Sequence, residues 1–170
     1  MRLYSGKIAA LSEELVKALC QANDIECEDK REVARDLEAV FATYLEQERL
    51  ASERAKEIIA ARGMPPTEMP RIRKLAAEQL GIKIGDELLD YLLDQLVEML
   101  MHSTNVDEVF VEDHELRRRM RAPLRKALDT DIEVEAEIRG KLRHVEEGTR
   151  TWEVEYRRLL SDIQRRKGLT

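Results

Sequence analysis

Asp86-Glu87-Leu88-Leu89-Asp90-Tyr91-Leu92-Leu93-Asp94-Gln95-Leu96-Val97-Glu98-Met99-Leu100-Met101-His102 is the most apolar stretch of this 170-residue chain. Its acids Glu87, Asp90, Asp94 and Glu98 recur every three or four residues, so on a helix they form one narrow stripe. Leu, Tyr, Val and Met fill the remaining circumference. A helix apolar on most sides belongs in the middle of a domain, with other elements packed around it. The same acids interrupt the apolar run from Leu88 to Met101, which excludes a membrane span there. Asp86 stands in the cap position.

The surrounding sequence supplies the partners. Just upstream, Pro65, Pro66 and Pro70 mark a connector, a short helix is expected over Arg71 to Leu80, and Gly81 to Gly85 reads as a turn or short strand. Before that, Asp29 with Glu32 three residues later resembles a capping box. Val33, Leu37, Val40, Tyr44, Ala51, Ala55 and Ile58 then carry a helix to Arg62-Gly63, about 50 Å at about 1.5 Å per residue. Ile8, Leu11, Leu15, Val16 and Leu19 define a first helix over Ser5 to Ala22, with Ser5 as its cap. Asp24 to Glu28 alternates polar and apolar and reads as extended. Downstream, Val109-Phe110-Val111 suits a short strand. A basic helix follows from His114 to Leu128, kinked or broken at Pro123. Asp131 to Glu135 is again read as extended. A last helix is expected from Ala136 to Lys167, where Ile138, Leu142, Val145, Thr149, Trp152, Tyr156, Leu159 and Ile163 keep a heptad spacing, weakened by Gly140 and Gly148.

The two ends of the chain resemble each other. Leu15-Val16-Lys17-Ala18-Leu19 aligns with Leu124-Arg125-Lys126-Ala127-Leu128, and Asp24-Ile25-Glu26-Cys27-Glu28 with Asp131-Ile132-Glu133-Val134-Glu135. The expected fold is therefore mainly α, one helical domain over residues 1–170. Two pseudo-repeated units of helix, extended segment and long helix (1–64 and 107–170) surround a helical insert (65–106) holding the central apolar helix, with at most a few short β-strands.

Composition agrees with helices: 43% hydrophobic, 38% charged and only 4% aromatic residues. The net charge of −6 sits in residues 1–100, with twenty acids against fourteen bases; the remaining residues balance at fifteen each. That excludes a wholly basic nucleic-acid binder but leaves room for a local basic face. Cys20 and Cys27 are too few for a disulfide framework, form no CxxC pair, and read as small core hydrophobes in a reducing compartment. The opening Met1 to Lys7 has no signal-peptide core, so a cytoplasmic location is expected.

Chemistry-bearing patterns are weak. Ser5-Gly6-Lys7 leads into a helix like the end of a phosphate loop, yet Ile8 stands where the metal-binding hydroxyl belongs, and a helix cap is the simpler reading. His102, Asp107, Glu108, Glu112, Asp113 and His114 are metal-capable, but no two histidines have zinc-site spacing and Asp113 suits a helix cap. Asp90 and Asp94 would do acid–base work only in a cleft. The strongest charge signal is the basic helix. Arg117, Arg118, Arg121, Arg125 and Lys126, with Arg119 among them, have no acid between Glu115 and Asp129, and Leu116, Met120, Leu124 and Ala127 oppose them. This face either holds an external anion or pairs with the acids of residues 1–100, Asp90 and Asp94 included.

Several segments carry a family resemblance: Met1-Arg2-Leu3-Tyr4-Ser5-Gly6-Lys7-Ile8, Glu53-Arg54-Ala55-Lys56, Asp94-Gln95-Leu96-Val97-Glu98-Met99-Leu100, His102-Ser103 with Val106-Asp107-Glu108-Val109, and Glu112-Asp113-His114-Glu115-Leu116-Arg117. They resemble the bacterial domain-of-unknown-function family 507 over most of the chain. The resemblance implies a small soluble bacterial protein and carries no activity or catalytic residues with it.

No nucleophile, base and oxyanion donor assemble in the sequence. The expectation is a non-catalytic helical protein-interaction or structural module without metal or cofactor, partnered by a second copy or another protein. The alternative is an RNA- or DNA-contacting protein using the 117–126 face. A metal-dependent hydrolase around residues 102–114 ranks below both.

Overall fold

The apolar arc of the 88–102 segment is what the rest of the chain wraps. In the computed structural model, which describes residues 1–170, helix α4 (Leu88–His102) buries Leu88, Leu89, Leu92, Leu93, Leu96, Val97 and Leu100. Around it stand α1 (Ile8–Gln21), α2 (Lys30–Arg62), α3 (Met69–Gln79) and α5 (Asp113–Leu128). Helix α4 packs on α2 and α5, α1 on α2 and α5, and α3 along α2. Leu15, Leu19, Leu37, Phe41, Leu92, Leu93, Leu96, Leu116 and Met120 share one continuous core with no solvent exposure. Burying a side chain of this size stabilises by about 1.5–3 kcal/mol.

Local signals explain where most elements begin and end. Asp29 caps α2 by accepting the Arg31 N–H at 2.8 Å. Gly63 ends the helix at φ 61°, the left-handed conformation that glycine adopts without a Cβ clash. Three caps differ from expectation. Ser5 lies inside a 3₁₀ turn (Ser5–Lys7) and makes no capping bond, α4 is entered through a second such turn (Gly85–Glu87) rather than from a capping Asp86, and Glu112 rather than Asp113 holds the cap position of α5. Helix α5 runs unbroken through Pro123. Two short strands, β1 (Ile25–Glu26) and β2 (Glu108–Val109), pair antiparallel with Ile25 opposite Val109, and so tie the α1–α2 junction to the segment before α5.

The C-terminal third departs from the sequence reading. Residues 131–135 are not extended; they form the first turns of α6 (Thr130–Leu142). Asp131 and Glu133 sit at the helix N-terminus, where the dipole favours acids. Val134, Ile138 and Leu142, four residues apart, turn inward. The expected 136–167 helix is likewise two helices. Gly148, at φ 84°, and Thr149, whose hydroxyl accepts the Trp152 N–H at 3.2 Å, open α7 (Arg150–Arg166) after a reversal. The heptad residues thus face one another across a hairpin, burying Val134, Ile138, Leu142 and Ile163 with Tyr4 and Leu169 in a second, smaller cluster. The pseudo-repeat does not carry through this element order. Ile25 is a strand residue 3% exposed, while its counterpart Ile132 is helical and 60% exposed.

The chain ends meet at this cluster. The Gly6 N–H donates to the Leu169 carbonyl at 3.2 Å, and Leu169 is buried beside Tyr4.

Candidate functional site

The basic helix was the sequence candidate, and its geometry follows from its neighbours. Leu116, Met120, Leu124 and Leu128 are the buried stripe of α5. Acids begin the helix and Arg125 and Lys126 end it, both favourable to its dipole; the Glu115 carboxylate accepts the Glu112 N–H at 3.3 Å. The α4 acids at 90 and 94 and the α5 arginines at 117 and 121 have the same four-residue spacing on facing helices. Arg117 pairs with Asp94, and Arg121 with Asp90. Arg119 turns the other way and reaches Asp24, Nε to Oδ2 at 2.8 Å. The Asp24 carboxylate is 5% exposed, and its hydrogen bond and charge raise the Arg119 pKa above the ordinary arginine value. Arg125 lies 3.6 Å from Asp129, one turn along its own chain. Arg118 and Lys126 are exposed and pair with no carboxylate. Of the five predicted binding residues, then, Arg117 and Arg121 meet the acidic stripe of α4, Arg125 meets a local acid, and two point free.

A groove of about 600 Å³ lies between α2 and the C-terminal half of α4. Val40, Leu92 and Met99 supply apolar lining; Asp36, Gln95, His102 and Asn105 supply polar groups. Asp36 accepts from Ser103 Oγ at 2.5 Å and from Asn105 Nδ2 at 2.9 Å. Ser103 Oγ in turn accepts the Asn105 N–H at 3.1 Å. Ser103 donates its hydroxyl hydrogen to a carboxylate while its oxygen holds a turn, and so anchors the α4 C-terminus. Tyr44 donates to the Lys83 carbonyl at 3.2 Å, and burial pushes its hydroxyl pKa well up, keeping it a neutral donor.

A family model described as protein of unknown function (DUF507) matches residues 1–169. The chain belongs to that family. No curated protein matches it. In this DUF507 chain the segments that carried the resemblance fall at working positions of the fold. Met1 to Ile8 runs from Leu3 and Tyr4, both buried, into α1. Asp94 to Leu100 includes the α4 acid that meets Arg117 and three buried core residues. Ser103 to Val109 is the anchored turn and β2, and Glu112 to Arg117 opens α5.

The remaining sequence candidates in the DUF507 chain do not converge. Gly6 directs its N–H to Leu169, so Ser5-Gly6-Lys7 is no phosphate cradle. His102, Asp107, Glu108, Glu112, Asp113 and His114 form no group of three or more that would hold a metal ion; His114 lies 3.3 Å from Glu112 alone. No helix is long and apolar enough to cross a membrane. Two groupings escaped the sequence reading. The Asp36, Ser103 and Asn105 cluster joins residues nearly seventy positions apart, for which no local signal exists. Cys20 and Cys27 come together, Sγ to Sγ at 3.6 Å, across a turn that only the backbone geometry discloses.

Proposed function

We propose that this protein is a non-catalytic helical module that works through protein contact, with a second copy of the chain as its partner and the α6–α7 hairpin as the contact surface. One observation carries the reading. Helix α7 has seventeen residues and buries only Ile163. Trp152, Tyr156, Leu159 and Leu160 lie within about 60° of Ile163 on a helical wheel at about 100° per residue, and all four stay half-buried against the cluster that Ile163 forms with α6, Tyr4 and Leu169. An arc that wide exceeds the seam that one neighbouring helix covers. A second hairpin laid along it would complete a four-helix layer, an arrangement in which two-fold symmetry lets each copy cover the other.

The test is the mass in solution across a concentration series, by light scattering or sedimentation. The expected result is a dimer that the Leu160→Gln change converts to monomer while the helical signal is retained. A monomer at every concentration up to the millimolar range overturns self-association.

A second reading rests on Arg118 and Lys126, exposed and without carboxylate partners. They would contact the phosphates of RNA or DNA. With Arg117, Arg119 and Arg121 engaged internally, few charges remain, and the salt dependence would be shallow, roughly one slope unit per contact. Absence of salt-sensitive binding at low ionic strength ends this reading.

A further inference from the structure

The last turn of α1 carries Cys20, and Cys27 follows β1 directly. Between them Asn23 takes a left-handed conformation, φ 55°, and reverses the chain, its N–H donating to the Cys20 carbonyl at 3.1 Å. The reversal sets the two sulfurs 3.6 Å apart. Both are free thiols and both are half-buried, so a small oxidant reaches them while a second protein chain is hindered. We propose that Cys20 and Cys27 form an oxidation site at which a hydroperoxide converts the thiol pair into an intramolecular disulfide.

The step balances. One sulfur attacks the peroxide oxygen; the O–O bond breaks, a sulfenic acid forms, and water (or, from an organic hydroperoxide, the alcohol) leaves. The second sulfur then attacks the sulfenic sulfur; the S–S bond forms, the S–O bond breaks and water leaves with the remaining proton. Two thiols lose two electrons and the peroxide gains them. The sulfurs must close by about 1.5 Å from their 3.6 Å separation to reach the bond length of roughly 2.05 Å. Burial and the neighbouring Cys20 push the Cys27 thiol up to about 11, so Cys27 is protonated at neutral pH and closure accelerates as pH rises.

The location gives the bond a consequence. The loop it closes contains Asp24, which holds Arg119 of α5, and Ile25–Glu26, which pair with β2. Fixing that loop fixes the segment that joins the α1–α2 pair to α5.

The experiment uses the full chain, freshly reduced and then exposed to hydrogen peroxide, with free thiols counted by alkylation and the intact mass recorded. Both thiols should disappear together, with loss of two hydrogens and no cross-linking between chains. Dithiothreitol should restore them, and the oxidised form should melt at a higher temperature. In Cys27→Ser, Cys20 should instead accumulate as a sulfenic acid trapped by dimedone. Oxygen gain on one or both sulfurs of the unmodified protein, disulfides between chains, or thiols that persist at peroxide levels that oxidise free glutathione would each overturn the proposal. These readouts come from the unmodified protein, so they stand even where the variant folds poorly.

Discussion

Gly6→Ala tests the closure of the two chain ends. A Cβ at Gly6 would stand 2.1 Å from the Gly168 carbonyl oxygen, 2.8 Å from its carbon and 2.9 Å from the Leu169 carbon. All three are backbone atoms, so no side-chain rotation relieves the contact. The φ at Gly6 is not in the left-handed region, so the conflict is tertiary rather than a matter of local strain. Relief requires the C-terminal segment to move away. That forfeits the Gly6 to Leu169 hydrogen bond, worth about 1 kcal/mol net, and the burial of Leu169, now 1% exposed and worth about 2 kcal/mol. Against this, alanine narrows the unfolded ensemble and returns roughly 0.7 kcal/mol. The net loss is about 2 kcal/mol, a fall in melting temperature of about 4–8 °C for a chain of this size. Gly140→Ala is the control. Gly140 lies inside α6 with nothing within 4 Å of a built Cβ, and alanine there should stabilise by roughly 0.5–1 kcal/mol.

The assay is a thermal melt of four proteins: unmodified, Gly6→Ala, Leu169→Ala and the double variant. If Gly6 acts by displacing Leu169, the double variant loses far less than the two single losses added together, because residues in contact are not independent. Additive losses, or a Gly6→Ala protein as stable as the parent, would refute the reasoning and leave the ends of the chain loosely joined.

Three further outcomes follow from the packing and the charges. Leu92, Leu93 and Leu96 are fully buried, and alanine at any of them should cost about 2–5 kcal/mol in a denaturant melt. The double change Arg117→Gln with Arg121→Gln removes two pairs whose members are 39–63% exposed, so each should contribute only about 0–1 kcal/mol and the melt should barely move. Arg166, hydrogen-bonded to Glu137, holds that carboxyl below its ordinary range, so its contribution is complete above the unfolded carboxylate pKa of about 4.3 and is lost as pH falls through the lower folded value. Emission from Trp152, the only tryptophan, should report that acid loosening of the hairpin, and Glu137→Gln should abolish the component; an unchanged acid titration would assign the transition elsewhere.

Periodicity was legible where one face has one job. The α4 stripe separates acids from leucines so cleanly that both its central position and its buried residues follow from spacing alone. The pairing of Arg117 with Asp94 and Arg121 with Asp90 is nearly as legible, since two helices with matched four-residue charge spacing meet in register once they pack antiparallel. Residues 131–149 show the opposite case. Asp131-Ile132-Glu133-Val134-Glu135 satisfies a two-residue alternation, yet its Val134 also begins the four-residue series through Ile138 and Leu142 that decides the outcome. The heptad continuing to Ile163 is real as a pattern of inward residues, but spacing does not reveal whether those residues face another chain or one another. Gly148 and Thr149 settle that by a left-handed turn and a helix cap.

The same distinction separates the surfaces of the molecule. A charged face that finds its complement within the chain has little left to offer a partner, and α5 has spent Arg117, Arg119 and Arg121 on Asp94, Asp24 and Asp90. An apolar arc is different, because a single neighbouring helix covers only its centre. Helix α7 buries Ile163 on that arc and leaves Trp152, Tyr156, Leu159 and Leu160 each with part of its surface still in water. At about 25 cal/mol per Å² of apolar area, covering those surfaces would add stabilisation, and under the proposed self-association a second copy would bring the matching arc.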